Sequence, residues 1–303
     1  MDTLTTIVVH YNTPQETEAC LASLLKTKAT SFKHQILIID NGSKEEFQIS
    51  STLNQKNVTV LRSEANLGFA GGNNIGIKYA IENYNSDYVV LLNSDTTIAP
   101  TALEFLLVQA RLAPEAGLLN PKIYFSKGME FHKKSYKKDE LGNVIWFAGG
   151  TIDWKDVASF HRGVDEVDRG QFDQVSKTDF ATGCCMLIKR EVLESTGLLS
   201  EELFLYWEDV EYSLRVKEKG YELLYVPKAV VWHDNAGSSE GAGNQVSVYY
   251  QTRNRLYLAL THGGLLAKKA AALLAAKYMK GSSTEQKAVI DATTRQMGKR
   301  PVV

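Results

Sequence analysis

The sequence has little cysteine, no dominant charge and no long apolar run. Its three cysteines, Cys20, Cys184 and Cys185, cannot build a disulfide framework in 303 residues, and they fit a reducing compartment. Lysine and arginine (34) balance aspartate and glutamate (35), which gives no reason to expect nucleic-acid binding. No apolar segment approaches the roughly 20 residues of a transmembrane helix, and the first residues do not resemble a signal peptide. These absences predict a cytoplasmic protein.

What the sequence does contain is the alternation of strand and helix patterns typical of an α/β domain. Short apolar runs at 5–11, 35–40, 58–61 and 88–92 indicate strands, and segments with helical spacing of apolar residues separate them. Strands that alternate with helices predict βαβ units and a mostly parallel central sheet flanked by helices.

The rest of the chain is predicted to add shorter elements. Gly197 is expected to end a short helix that starts at Arg190. The Ala/Leu-rich segment 265–279 is long enough for an amphipathic helix, and the polar segment 282–303 is expected to be frayed. The other predictions are helices over 75–84, 102–112 and 246–260, strands over 117–124, 221–227 and 229–233, a charged excursion over 126–139, a hairpin or meander over 144–154, a loop over 159–174 and a buried segment over 178–188.

The run at 88–92 is the most informative of these strands. It is apolar without alternation, as in a strand covered on both faces, and it stops abruptly at Asn93, Ser94 and Asp95. Ligands of open α/β sheets bind outside the carboxyl ends of the strands, so Asp95 is a candidate ligand-site carboxylate. The alternative is that Asp95 only caps the helix that comes next.

Glycines and amides fill segment 66–74, before the helix predicted over 75–84. Glycines at a helix N-terminus let backbone amides approach an anion, which suggests a phosphate contact. The spacing is neither the dinucleotide-binding fingerprint nor a Walker loop. A tight turn without any ligand is the alternative.

A second cluster of chemistry-bearing residues begins at Trp207. A helical pattern starts at Asp209, so Glu208 should precede the helix, and Glu211 should point roughly 200° away from Asp209. The helix dipole stabilises a carboxylate at this end, which suits a general base, although capping residues would look the same. His233 falls at a strand end before a Gly/Ser-rich loop that runs to Gly243, and it is either a ligand or a hydrogen-bonded structural residue.

Seven motifs, in order, resemble the inverting family 2 glycosyltransferases, in particular their rhamnosyltransferase-like branch. The resemblance runs from about residue 5 to about residue 260. It rests on Val-Val-His-Tyr-Asn (8–12), Ile-Ile-Asp-Asn-Gly-Ser (38–43), Asn-Leu-Gly-Phe-Ala-Gly-Gly-Asn-Asn (66–74), Leu-Leu-Asn-Ser-Asp (91–95), Thr-Gly-Cys-Cys-Met-Leu-Ile (182–188), Trp-Glu-Asp-Val-Glu-Tyr-Ser-Leu-Arg (207–215) and Val-Trp-His (231–233).

The resemblance implies a GT-A fold over residues 1–260. Residues 1–122 would form the nucleotide-sugar half and 123–260 the acceptor half, followed by a C-terminal helix and tail over 261–303. By position, Asp40 would meet the nucleobase, Asp95 and His233 would hold Mg²⁺ or Mn²⁺, and Asp209 would be the catalytic base. The other implied contacts are His10, Asn12, Asn66, Gly68, Asn73, Asn93 and Ser94 for the donor, and Trp207, Glu208 and Gly183 for the acceptor. Asn93 departs from the family, where many members have aspartate.

The chemistry expected of such residues is a single displacement that inverts the anomeric centre. A divalent cation neutralises the leaving diphosphate, one carboxylate deprotonates the acceptor hydroxyl, and Trp207 packs on a sugar face or in the core. The branch favours dTDP-L-rhamnose as donor, and the alternatives are UDP-galactofuranose and UDP-GlcNAc. The acceptor would be a glycan or a lipid-linked saccharide in cell-surface polysaccharide biosynthesis.

Two further hypotheses concern partners and class. Segment 264–280 is expected to touch the inner face of the membrane, to pack against the domain or to form a homodimer. A non-catalytic glycan-binding module on a decayed transferase fold is the competing class; Asn93 favours it, whereas Asp95, Asp209 and His233 oppose it.

Overall fold

The computed structural model describes residues 1–234 and 244–301. Within these ranges there are twelve strands and eight α-helices. Ten of the strands form one large sheet, and the other two form a separate small sheet. The strands are β1 (Asp2–His10), β2 (Phe32–Asn41), β3 (Val58–Ser63), β4 (Tyr88–Asn93), β5 (Thr96–Ile98), β6 (Ala116–Phe125), β7 (Ile145–Phe147), β8 (Gly150–Asp153), β9 (Ala158–His161), β10 (Ser176–Lys177), β11 (Cys185–Lys189) and β12 (Glu222–His233). The helices are α1 (Pro14–Leu24), α2 (Gly68–Tyr84), α3 (Ala102–Leu112), α4 (Arg190–Thr196), α5 (Glu208–Glu218), α6 (Gln245–Thr261), α7 (Leu265–Tyr278) and α8 (Ser283–Thr293).

The first half of the large sheet is parallel, as the sequence predicts. Its strand order is β3-β2-β1-β4, so the chain builds outwards from β1 and then crosses to the other side of it. In β4, Val90 and Leu92 pack into one hydrophobic core while Val89 and Leu91 pack into another on the opposite face. Burial on both faces explains why this strand shows no polar alternation.

The second half of the sheet is mixed. Strand β11 lies antiparallel between β4 and β6, and β12 runs parallel to β6. The strands predicted over 221–227 and 229–233 are one strand with an irregularity between Val226 and Val230. The short strand β5, which the sequence did not suggest, folds back to pair antiparallel with the end of β12.

The helix predicted over 75–84 begins earlier, inside the glycine-rich segment 66–74. Helix α2 begins at Gly68, so most of this segment is helical rather than a loop. The glycines allow α2 to lie close against β1: a Cβ on Gly72 would stand 2.8 Å from Val9 Cγ1, and one on Gly76 would stand 2.5 Å from Ile7 Cγ2. Packing against the sheet, not a turn, is what requires these small residues.

The hairpin or meander predicted over 144–154 is also wrong, because its two strands pair with other partners. Strand β7 pairs with β6, whereas β8 pairs with β9, which reaches into the segment 159–174 expected to be loop. Strands of three or four residues carry too little periodicity to reveal which partner they choose.

The C-terminal segment predicted to be frayed contains a helix, α8, over Ser283–Thr293. Ser282 and Glu285 form a capping box at the start of α8, and Ala288 and Val289 are buried in that helix. Helices α7 and α8 both pack against α6. The S-x-x-E signature of the capping box was present in the sequence, but the polar composition around it outweighed that signal. None of the helices in the described part of the chain is long and apolar enough to cross a membrane.

Candidate active site

The candidate site lies where several strands end at one edge of the sheet. Because β11 is antiparallel to both β4 and β6, and β12 is parallel to β6, strands β1, β2, β4 and β12 all end at this edge. Those ends carry His10, Asp40, Asn93 and His233. The order changes direction between β1 and β4, which is where open α/β sheets bind ligands.

Asp95 and His233 meet at this edge. The pairing of Thr96 with His233 brings the two side chains together, and His233 Nε2 lies 3.2 Å from Asp95 Oδ1. Both residues are buried, and the Trp146 ring stands edge-on to the imidazole with 4.6 Å between ring centroids. Among the described residues His233 Nδ1 has no hydrogen-bond partner. The two groups expected to hold a cation are therefore adjacent in space.

Asp209 is held at the start of α5 by backbone amides. The Gly183 N–H donates to its Oδ2 at 3.0 Å, and the Val210 N–H donates to its Oδ1 at 2.8 Å. Burial raises the pKa of Asp209, and these hydrogen bonds oppose that rise because they favour the ionised form. Gly183 must lack a side chain, since a Cβ there would stand 2.7 Å from Phe69 Cζ.

The buried thiol of Cys184 is influenced by both carboxylates, Asp95 and Asp209. Burial raises the pKa of Cys184 well above its usual range, and the nearby charges of Asp95 and Asp209 add to that rise. The Cys184 carbonyl also accepts the Asn93 N–H at 2.9 Å. Cys184 therefore lies among the candidate metal ligand, the candidate base and the end of β4.

Glu208 differs from its prediction. It is the first residue of α5 rather than the residue before it, it is only 6% exposed, and its Oε2 has no hydrogen-bond partner among the described residues. Burial, and then the neighbouring charge of Asp209, raise the pKa of Glu208 to about 8. With a pKa of about 8, Glu208 is largely protonated near neutral pH, and a protonated carboxyl can donate a hydrogen bond.

Trp207 and Glu211 flank this pair. The Trp207 ring is largely buried and its Nε1–H donates to Gln251 Oε1 at 3.1 Å, but the residue still lines a cleft of about 500 Å³. Glu211 is directed to Arg215, whose Nε lies 2.6 Å from Glu211 Oε1, and this guanidinium binds two backbone carbonyls. Glu211 is therefore engaged in a structural ion pair.

The candidate donor residues on β1 and β2 are mostly engaged within the protein. His10 is buried, its Nδ1 is 2.7 Å from Thr17 Oγ1, and burial lowers its pKa. Asp40 is fully buried; it accepts two backbone N–H groups and forms an ion pair with Arg62 at 2.7 Å. Asn12 is exposed, with a left-handed backbone, and it accepts the Lys44 N–H.

The candidate donor residues around α2 form hydrogen bonds within the protein, whereas those after β4 lie beside Asp95. Asn66 accepts the Gly68 N–H at 2.8 Å, and buried Asn73 donates to the Phe69 carbonyl. Asn93 and Ser94 are half-buried beside Asp95. The structure thus gathers Asn93, Ser94, Asp95, Gly183, Glu208, Asp209 and His233, whereas His10, Asp40, Asn66 and Asn73 make contacts that shape the surrounding loops.

Sequence reasoning missed several residues of this site. The Thr182 hydroxyl accepts the Cys184 N–H at 3.3 Å, and its nearness to Asp209 opposes the rise in the pKa of that carboxyl. Trp146 lies between two histidines, His161 at 4.3 Å and His233 at 4.6 Å between ring centroids. Trp146 and His161 come from short strands whose pairing the sequence did not reveal, so only Thr182, inside a quoted motif, carried a signal.

Comparison with known proteins finds a matching family model and several similar proteins. The model of the glycosyltransferase-like family 2 matches residues 2–257. An N-acetylglucosaminyl-diphospho-decaprenol L-rhamnosyltransferase of Mycobacterium tuberculosis is 25% identical over 87% of this chain and 86% of its own length. A low-salt glycan biosynthesis hexosyltransferase, Agl10, of Haloferax volcanii is 22% identical over 84% and 75%. The solved structure of GalNAc-T7 with UDP, GalNAc and Mn²⁺ has a TM-score of 0.60 at 17% identity, and the match covers 97% of this chain and 58% of that one.

The pKa of Glu208 predicts how stability depends on pH. A carboxyl whose folded pKa, about 8, exceeds its ordinary 4.5 stabilises the fold fully below 4.5, and this contribution is lost as pH rises through 8. We expect Glu208→Gln, which mimics the neutral acid, to show a smaller fall of Tm between about pH 4.5 and 8 than the wild type. Thermal unfolding across this range measures it, with exposed Glu45→Gln as the control. Parallel Tm curves for wild type and Glu208→Gln would refute the assignment.

Proposed function

The chain belongs to the glycosyltransferase-like family 2, and from that premise we propose that it is an inverting transferase that moves L-rhamnose from dTDP-L-rhamnose to a saccharide hydroxyl. Its fold is the GT-A fold of sugar-nucleotide transferases. The observation that carries the proposal is that Asp95 and His233 meet where β4 ends, next to the segment 183–184 whose Cys184 carbonyl binds the Asn93 N–H and whose Gly183 N–H binds Asp209. The similarity to an L-rhamnosyltransferase along most of both chains supports the choice of sugar.

Asp95 and His233 fit a divalent cation, Mg²⁺ or Mn²⁺. A carboxylate oxygen and an imidazole nitrogen 3.2 Å apart can share one ion, and half-buried Asn93 adds an amide beside them. The described residues contain no group of three or more His, Cys, Asp or Glu that could hold a metal by themselves. The donor diphosphate and water would complete such a shell. When bound, the ion would neutralise charge on the departing diphosphate.

Asp209 is the proposed base that takes the proton of the acceptor hydroxyl. The amides of Gly183 and Val210 fix its two oxygens and favour its ionised form, while Glu208 stays protonated beside it. A neighbouring neutral acid can donate a hydrogen bond to the acceptor without competing for its proton. One carboxylate placed to deprotonate the acceptor hydroxyl suits a single displacement, which inverts the anomeric centre.

The acceptor is proposed to enter through the cleft beside Trp207. Gln251 of α6, Tyr278 of α7 and Glu285 of α8 also line this cleft, so the C-terminal helices contribute to it. An aromatic ring among hydrogen-bonding side chains suits a saccharide. We accordingly propose that residues 1–122 bind the donor and 123–260 the acceptor, with 261–303 extending the acceptor side. The name of the mycobacterial relative supports a lipid-linked saccharide.

Helix α7 is proposed to contact the membrane surface that carries such an acceptor. Ala267 and Ala271 are its buried residues, whereas Leu265, Leu266 and Leu273 are 89%, 58% and 67% exposed. Lysines lie among these leucines and the helix contains no acid. A basic helix with exposed leucines suits an anionic lipid surface, at about 1 kcal/mol for each lysine near it.

The first prediction for function concerns Asp95. Asp95→Ala should abolish transfer with the fold retained, because it removes the carboxylate that faces His233, and excess EDTA should abolish wild-type transfer. Transfer assays across a Mn²⁺ titration measure both effects. Asp87→Ala, at the opposite end of β4, is the matched control and should keep activity. Full activity of Asp95→Ala, or of wild type in EDTA, would refute the metal role. If the wild type binds the donor in Mn²⁺ but neither transfers nor hydrolyses it, the glycan-binding module is favoured.

The next prediction tests Asp209 as the base. Asp209→Asn keeps the shape but removes the basicity, so transfer should fall by a factor on the order of 10² or more while donor binding is retained. Glu211→Gln should lower stability by breaking the ion pair with Arg215, yet leave turnover per folded molecule nearly unchanged. Steady-state kinetics with donor-binding titrations measure this. Wild-type turnover in Asp209→Asn, with loss in Glu208→Gln, would reverse the two roles.

A further prediction concerns the exposed face of α7. Replacing Leu265, Leu266 and Leu273 together by serine should remove binding to anionic liposomes, and wild type should not bind zwitterionic ones. Flotation of the full-length protein measures this, with Leu112→Ser, at a similarly exposed leucine of α3, as the control. If the triple variant floats like the wild type, the membrane role is wrong. If instead it changes the mass measured by light scattering, the face is a dimer contact.

A further inference from the structure

The loop over 202–207, directly before Glu208 and Asp209, has an unusual backbone. Phe204, Tyr206 and Trp207 have φ of +64°, +66° and +71°. These values lie in the left-handed region, which side chains other than glycine rarely adopt. Three such residues within four positions persist only where the surrounding structure holds them, and such strain is characteristic of functional sites.

Five consecutive carbonyl groups of this loop accept hydrogen bonds from outside it. Two neighbouring residues of α6 provide most of the donors. Arg253 Nη2 donates to the carbonyls of Leu203 at 2.8 Å and Glu202 at 3.3 Å, and Asn254 Nδ2 donates to those of Leu203 (3.0 Å), Leu205 (2.9 Å) and Tyr206 (2.8 Å). The Phe69 N–H, at the start of α2, donates to the Phe204 carbonyl at 3.0 Å.

The segment after α8 completes this arrangement. Arg253 is fully buried, its Nη1 donates to the Gly298 carbonyl at 2.7 Å, and the Gly298 N–H donates to the Glu202 carbonyl at 2.6 Å. Arg253 Nε donates to Asn254 Oδ1 at 2.8 Å, which turns the Asn254 amide N–H groups toward the loop. Lys299 lies over the Phe204 ring at 5.5 Å. Gly298 and Lys299 lie outside the part of the chain that the family model matches.

We propose that Arg253 and Asn254 are positioning residues, and that Gly298 closes the clamp they form around 202–207. The clamp holds the backbone in the left-handed shape that directs Glu208 and Asp209 into the site. Neither residue touches substrate; each acts through the loop. The inference rests on the proposed function in so far as Asp209 is the base, and a displacement of about 1 Å at such a group can cost about 10²-fold in rate.

The clamp is tested with Arg253→Lys and Asn254→Ala in the full chain. Lysine keeps the charge of Arg253 but cannot reproduce the fork that reaches Gly298, Glu202 and Leu203 together. Arg162→Lys is the matched control, because Arg162 also donates to a backbone carbonyl and lies over two aromatic rings, Phe172 and Tyr225. A chain ended at Met297 is a further variant, which removes Gly298 while Arg253 and Asn254 stay in place.

Two measurements are made on each variant. Hydrogen exchange of peptide 202–211 reports the loop without any assay of activity, and steady-state kinetics with donor-binding titrations separate kcat from binding. We expect exchange in this peptide to accelerate in the clamp variants and not in Arg162→Lys. We expect kcat to fall by about 10-fold to 10²-fold while the donor Kd stays nearly unchanged.

The outcomes separate the clamp from the proposed function. Unchanged exchange in 202–211 overturns the clamp, whatever the activity. Faster exchange with unchanged kcat, or an equal loss of kcat in Arg162→Lys, overturns the positioning role. If the wild type transfers no sugar, the proposed function fails, and hydrogen exchange alone still decides whether Arg253, Asn254 and Gly298 hold the loop.

Discussion

The pairing of β5 with the end of β12 is the contact on which the site depends. It closes the turn after β4 onto a strand from the other half of the sheet, and so brings Asp95 against His233. Both partners are buried, and breaking a buried pair by removing one member leaves the other without compensation. The Trp146 ring packs edge-on against the His233 imidazole on this contact.

Burial also divides the labour of the two neighbouring acids of α5. Asp209 receives two backbone N–H groups, which oppose the rise in its pKa that burial causes, whereas Glu208 has an oxygen without a partner among the described residues. A low-dielectric site cannot stabilise two adjacent charges equally, so the better-bonded carboxylate ionises first. The environment of each residue, rather than its chemical type, therefore separates a base from a hydrogen-bond donor.

The sequence predicts the parts of this protein that local pattern controls. The unbroken run of β4 and the acids of α5 reflect burial and helix spacing, so the sheet half around β1 and the candidate residues Asp95 and Asp209 could be found from it. The predictions that were wrong concern features set by distant partners. The glycines of α2 are required by close packing against Ile7 and Val9, and β8 pairs with β9. Arg253 and Asn254 could not be recognised, since their role exists only through a loop some 50 positions away.

The close approach of α2 to β1 links core composition to the candidate site. A Cβ at position 76 would lie only 2.5 Å from Ile7 Cγ2. A larger residue at either position must therefore push the helix away from the sheet. The first turn of α2 carries Phe69, whose N–H holds the Phe204 carbonyl, and that displacement would reach the loop before Asp209. A larger residue at position 76 thus requires a smaller one at position 7, and enlarging either residue in this apolar interior can disturb the site as a change in a binding surface would.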